Sequence, residues 1–200
     1  MLYALVYILV KPFIMLIYRP KVLNREAMYQ KGKVIYVSNH MVLFDPVVVA
    51  ALSRRCVHFM AKSTLSDKPF MAWVFRQLLT FPVEQYTADR KAIQRAIDLL
   101  NQGKAFGIFP EGHRSADGHT MDTFDKGCAF IAMRANAPIV PVYVNPGAWK
   151  LGKRMHVAVG DPIFPDKVRE LCPGRKPIDA VNAAITDSMM TLRDQAEAIA

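Results

Sequence analysis

The chain has 200 residues, long enough for one domain with a real hydrophobic core, and carries 26 Lys and Arg against 17 Asp and Glu, a formal charge of +9. Such an excess favours anionic partners, and nucleic acid is excluded first because no helix-turn-helix, zinc or aromatic RNA-binding signature accompanies the charge. Cys56, Cys128 and Cys172 are odd in number and lack metal-ligand spacing, so they predict reduced, mostly packing thiols of a cytosol-facing protein.

At the N-terminus, residues 2–18 are apolar except for Lys11, which has Pro12 beside it. The longest uninterrupted piece, Leu2 to Val10, is well short of the roughly 20 residues a span requires. No basic residues precede it and no small-residue cleavage site follows, so it does not read as a signal peptide. Tyr3, Tyr7, Phe13 and Tyr18 suit a bilayer interface, and Arg19, Lys21 and Arg25 would meet anionic headgroups. Residues 1–20 are therefore expected to form a monotopic, membrane-associating helix on the cytoplasmic face of the cell membrane, with 21–200 as the remaining domain.

Beyond it, strand and helix patterns alternate. The expected order is strand 33–38, helix 45–53, strand 56–61, helix 69–79, strand 80–83 and helix 88–102, whose Ala92, Ile93, Ala96, Ile97 and Leu100 make one face. Strand 105–109, a polar loop, helix 126–135, strand 138–144 and strand Met155 to Val159 follow. A last helix, about 177–198, puts Ile178, Val181, Ile185, Met189 and Leu192 on one stripe, while the Pro/Gly/basic segment 165–177 reads as an exposed loop. This alternation predicts an α/β sandwich with a largely parallel sheet flanked by helices, without repeats or a domain linker.

Two strand ends carry chemistry. After Val34-Ile35-Tyr36-Val37 comes Asn39-His40, and five residues past His40 stands Asp45-Pro46, read as the N-cap and first position of a helix. A carboxylate beside an imidazole fixes its tautomer and stabilises its protonated form, so the pair can act as a base toward a hydroxyl. Ordinary helix capping is the plainer alternative. After Ala105-Phe106-Gly107-Ile108 comes Phe109-Pro110-Glu111-Gly112-His113-Arg114-Ser115. Here Arg114 offers a donor fork for phosphate, Gly112 permits close backbone approach or positive φ, and Glu111 can hold Arg114 or bind a hydroxyl. A surface turn with a local ion pair is the plainer reading of this stretch. His113, Asp117, His119 and Asp122 look like a metal cluster only on paper; their turn chemistry predicts solvated polarity and no metal site. His58, His156, Met189 and Met190 are expected to be structural.

Together these stretches resemble the glycerolipid acyltransferase family of the lysophosphatidate (1-acyl-glycerol-3-phosphate) acyltransferase type. His40 and Asp45 match its His, four residues, Asp block, and Phe109 to Ser115 match its Phe-Pro-Glu-Gly-x-Arg-Ser block. Ala137-Pro138-Ile139-Val140-Pro141-Val142-Tyr143 resembles its apolar strand around a proline, and Lys126-Gly127 its Lys-Gly pair. Phe59-Met60-Ala61-Lys62 is similar to the segment that supplies a phosphate-binding lysine. One departure concerns the acceptor. Where the family usually has Arg after an acidic residue, Phe81-Pro82-Val83-Glu84 is followed by Gln85, and Arg90 lies five residues on as a possible substitute charge.

The resemblance implies a glycerolphosphate-acyltransferase-like fold and a transfer of an acyl chain from coenzyme A or acyl carrier protein to the free hydroxyl of lysophosphatidate, giving phosphatidate. It implies His40 as base and Asp45 as its partner. Lys62, Glu111, Gly112, Arg114, Ser115, Gln85 and Arg90 would bind the acceptor, no metal or redox cofactor is needed, and an anionic membrane surface is a partner. Another lysolipid or glycerol 3-phosphate as acceptor, a hydrolase or transacylase using the same pair, and an inactive membrane-binding module are the rival readings. The lack of a Gly-x-Ser-x-Gly elbow speaks against an ordinary serine hydrolase.

Overall fold

Short runs of buried, largely β-branched residues make the strands of one central sheet, as described by a computed structural model for residues 2–85, 87, 89–117, 120–145 and 153–199. The strands are β1 (Lys21–Leu23), β2 (Val34–Ser38), β3 (Val57–Lys62), β4 (Thr80–Val83), β5 (Ala105–Ile108), β6 (Ile139–Val144) and β7 (His156–Val159). The helices are α1 (Leu2–Ile17), α2 (Asp45–Leu52), α3 (Pro69–Gln77), α4 (Arg90–Asn101), α5 (Gly127–Ala135), α6 (Pro165–Leu171) and α7 (Pro177–Ala198). The sheet order is β1-β7-β6-β2-β5-β3-β4. From β6 to β4 all pairs are parallel, whereas β7 runs antiparallel to β6 and β1 parallel to β7.

This is the expected α/β architecture with a mostly parallel sheet. Side chains alternate across β2, so Ile35 and Val37 face α4, α5 and α7, while Val34 and Tyr36 pack with Val48, Val49 and Leu52 of α2. Each large apolar side chain so buried contributes about 1.5–3 kcal/mol. The terminal helix keeps its predicted stripe, with Val181, Ile185, Met189 and Leu192 buried. Pro141 sits in a central strand, where a missing N–H is normally costly. Its carbonyl accepts from Gly160 just past the end of β7, so the absent donor falls where pairing stops.

Four features differ from the sequence reading. The segment 165–177 is not all loop: Pro165 opens α6, whose Val168 packs on the core, and the flanking prolines and cations concealed this short amphipathic turn. The strand β1 has no predicted counterpart because three residues carry no readable alternation; it forms only by pairing with β7. Asp45 is the first residue of α2 and Phe44 precedes it as the cap, one position off the predicted arrangement. Of the three free cysteines, Cys128 is buried, its thiol pushed up to about 12 by desolvation, but Cys56 is exposed rather than packed.

The helix α1 docks on the α2 side of the sheet: Tyr7 donates from its hydroxyl to the Ser53 carbonyl (2.8 Å), and the Val57 amide donates to the Tyr3 hydroxyl (3.1 Å). Ile14 is buried, while Leu5, Ile8, Leu9, Phe13 and Leu16 face outward. At 16 residues it is about 24 Å long, and among the described residues no helix is long and apolar enough to cross a membrane.

Close packing also fixes the middle of the sheet. A methyl group built on Gly107 would lie 2.1 Å from Cε1 of Phe59, the residue opposite it in register. Phe59 stacks on Phe109, with ring centroids 6.1 Å apart, so the empty Gly107 position seats an aromatic ladder. Gly107→Ala should lower stability by about 1–3 kcal/mol in a denaturant melt, whereas Gly127→Ala, with open space around it, should not. Equal midpoints for the two variants would refute this packing account.

Candidate active site

The polar groups are gathered by topology. In a parallel sheet every strand ends on the same edge, and ligands bind in the crevice outside those carboxyl ends. His40 follows β2, Lys62 closes β3, Gln85 and Arg90 follow β4, and Glu111 to Ser115 follow β5. All the predicted site residues therefore come to one edge of the five-strand parallel block.

His40 is held from every side. Just before it, the buried Asn39 amide donates from Nδ2 to the Val144 carbonyl and accepts at Oδ1 from the Val144 amide, both at 2.9 Å. The side chain thus continues the β2–β6 pairing where the backbones part. The His40 amide donates to Glu111 Oε1 (3.1 Å), and the Ser115 amide donates to the His40 carbonyl (2.8 Å), which sews the two motif loops together.

Asp45 fixes the imidazole. Its Oδ2 accepts from the Met41 amide (2.6 Å) and the Val42 amide (2.7 Å), and lies 3.1 Å from His40 Nδ1. The carboxylate is 1% exposed and the histidine side chain 17%. An acceptor facing Nδ1 requires the proton there, which leaves Nε2 as the basic nitrogen. The ring also stacks on Phe109 with centroids 4.3 Å apart, at the end of the ladder seated by Gly107. Both choices of base nitrogen are open in the sequence; the fold selects Nε2.

Glu111 differs from expectation. It does not hold Arg114, for its Oε1 faces the His40 amide and its Oε2 is buried without a hydrogen-bond partner. Burial pushes this carboxyl up to about 7 against the opposing pull of the His40 and Asp122 amides. Arg114 is exposed, and among the described residues no carboxylate lies within ion-pair distance of it. Gly112 takes φ +71°, the left-handed turn its sequence position anticipates, and its carbonyl accepts from Gln85 Nε2. Ser115 is buried, and its hydroxyl donates to Asp117 (2.7 Å).

Lys62 and Arg90 are exposed, and neither touches His40 or Asp45. His113 pairs with Asp122 at 3.0 Å on the surface; His119 lies outside the described residues, among which no metal-ligating cluster occurs. Asn39 and Phe109 lie within the two motifs and Gly107 just before the second, but spacing alone assigns none of them a role. A glycine within a fully buried strand was the available signal for Gly107 and Phe109.

Known proteins resemble the chain in sequence and in fold. A family model described as Acyltransferase matches residues 19–145. The 1-acyl-sn-glycerol-3-phosphate acyltransferase of Bacillus subtilis is 25% identical over 181 residues, covering 88% of each chain. One from Chlamydomonas reinhardtii is 32% identical over 62% of this chain and 38% of its own, and one from Borreliella burgdorferi 29% identical over 60% and 49%. The chain thus spans most of the Bacillus relative but half or less of the other two. The crystal structure of the 1-acyl-sn-glycerophosphate acyltransferase PlsC from Thermotoga maritima superposes with a TM-score of 0.68 at 22% identity, covering 95% of this chain and 79% of that one, which supports the fold.

The environment of Glu111 has a measurable consequence. A carboxyl raised from its ordinary 4.5 to about 7 binds its proton more tightly in the folded chain than in the unfolded one. Its contribution to stability therefore falls as pH rises from about 4.5 to about 7, by an amount on the order of 3 kcal/mol. Glu111→Gln should flatten the stability–pH curve across that window. An unchanged slope in denaturant titrations at pH 5 and pH 8 (about the ends of the window) would refute the raised value.

Proposed function

The chain belongs to the acyltransferase family, and on that premise we propose that it is a 1-acyl-sn-glycerol-3-phosphate acyltransferase of phospholipid synthesis. The observation that carries the mechanism is the buried Asp45 carboxylate on His40 Nδ1, which turns a basic Nε2 outward at the strand-end crevice. Nε2 removes the proton of the free lysophosphatidate hydroxyl as its oxygen attacks the thioester carbonyl. Asp45 stabilises the imidazolium that forms. The carbon–sulfur bond then breaks, the proton passes to the departing thiolate, and phosphatidate and free thiol leave.

The cations supply position. Arg114 and Lys62, both exposed at the same sheet edge, hold the acceptor phosphate and so fix the hydroxyl near Nε2, and such placement supplies much of the rate. Glu111 keeps the His40 loop in place through the amide, while Gly112, Ser115, Gln85 and Arg90 complete the acceptor site. No metal or redox cofactor enters this scheme. Coenzyme A and acyl carrier protein are both acidic and suit a chain of charge +9 as donors. The outward face of α1 lies in the cytoplasmic leaflet as an interfacial helix, bringing the site to its amphiphilic acceptor.

Gln85 favours a second acceptor. A neutral amide in place of the family's usual Arg binds phosphate oxygens more weakly, so another lysolipid or glycerol 3-phosphate belongs in the same assay.

Purified protein in liposomes, given lysophosphatidate and palmitoyl coenzyme A or palmitoyl carrier protein, should form phosphatidate only when a donor is present. His40→Ala should reduce turnover by about 10²–10⁴-fold without unfolding the chain. Arg114→Ala should act mainly on KM for the acceptor. Wild-type-like turnover in a folded His40→Ala variant would remove the base assignment, and no product from any donor with any of the three acceptors would overturn the activity.

A further inference from the structure

Exposed large hydrophobic residues are unevenly distributed. Of the fourteen among the described residues, five lie on α1, two are Leu43 and Phe44 at the start of α2, and three are Leu65, Phe70 and Trp73. The last three belong to the segment between β3 and β4 and are not part of the site or of the N-terminal helix.

The helix α3 is built inside out. Phe70, Trp73 and Arg76 make an exposed stripe at helical spacing, where a surface helix facing water carries polar residues. Phe70 is 70% exposed and Trp73 49%, their rings stacked with centroids 6.2 Å apart. The opposite side, Met71, Val74 and Phe75, is only half-buried. Lys68 and Arg76, both exposed, bracket the pair along the chain, with Asp67 as the one acidic residue beside them.

Handedness puts this helix on a definite face. The crossovers β2 to β3 and β3 to β4 advance in the same direction across the sheet, so right-handed connections place α2 and α3 on one face. The returns to β5 and β6 place α4 and α5 on the other. Since α1 docks on α2, the outward residues of α1, the Leu43–Phe44 pair beside Asp45, and the α3 aromatics share one side of the molecule.

We propose that α3 is a second membrane-contact surface, with Phe70 and Trp73 entering the interface of an anionic bilayer while Lys68 and Arg76 meet its headgroups. This rests on the membrane reading of α1 and extends it. Two contacts fix the tilt of the domain on the bilayer, which a single helix leaves free. Aromatic residues bordered by cations suit a lipid surface better than a protein groove, because an interface accepts both at one depth.

Trp73 is its own reporter, since the chain has two tryptophans and Trp149→Phe leaves Trp73 alone. With vesicles of phosphatidylcholine and phosphatidylglycerol, its emission should shift to the blue and fall about twofold when the lipid carries brominated acyl chains. Subtracting the spectrum of Trp73→Phe from that of the unaltered chain gives the same signal without relying on Trp149→Phe folding. Phe70→Ser should weaken vesicle partition on the order of tenfold yet keep turnover of a short-chain, dissolved lysophosphatidate. Sedimentation with vesicles but an unshifted, unquenched Trp73 would overturn the proposal and leave α1 as the contact. Failure to sediment at all would overturn both.

Discussion

One carboxylate oxygen organises the site. Oδ2 of Asp45 accepts two backbone amides from the loop before its own helix and faces the ring nitrogen of His40. A buried charge is tolerable only when several donors converge on it. The same three donors that make Asp45 affordable in the interior bend residues 41–44 into the turn that presents the imidazole. Loop shape, tautomer and charge are thus consequences of a single hydrogen-bonded centre.

The second constraint is backbone rather than side chain. Both main-chain groups of His40 are taken by the loop after β5, through Glu111 and Ser115, while Asn39 extends the pairing toward β6. Three adjacent parallel strands are therefore tied together at Asn39 and His40.

Much of this was legible in the sequence for definite reasons. Continuous apolar runs identified the β2, β5 and β6 strands, which are buried on both faces, and a period of 3.6 residues identified the α4 and α7 helices. The convergence of His40 with Glu111 followed from placing both after buried strands of a parallel sheet. What escaped was tertiary. A three-residue β1 exists only through β7, and α6 was concealed by its flanking prolines and cations. Chemical type suggested a Glu111–Arg114 pair, but backbone geometry gave Glu111 to the His40 amide instead. The choice between the two ring nitrogens depends on which side Asp45 approaches, and spacing alone does not carry that.

The outer strands bear on how copies of the chain behave when crowded. The sheet ends at β1, only three residues long, and at β4, where the exposed Pro82 occupies the strand and offers no N–H. Neither border is a template on which a foreign strand can zip up. A protein confined to a surface meets its neighbours at far higher local concentration than one diffusing in three dimensions, and with their sheets oriented alike. Blunted borders let such a population stay dispersed, each copy free to meet substrate, rather than knitting edge to edge into a continuous β-sheet.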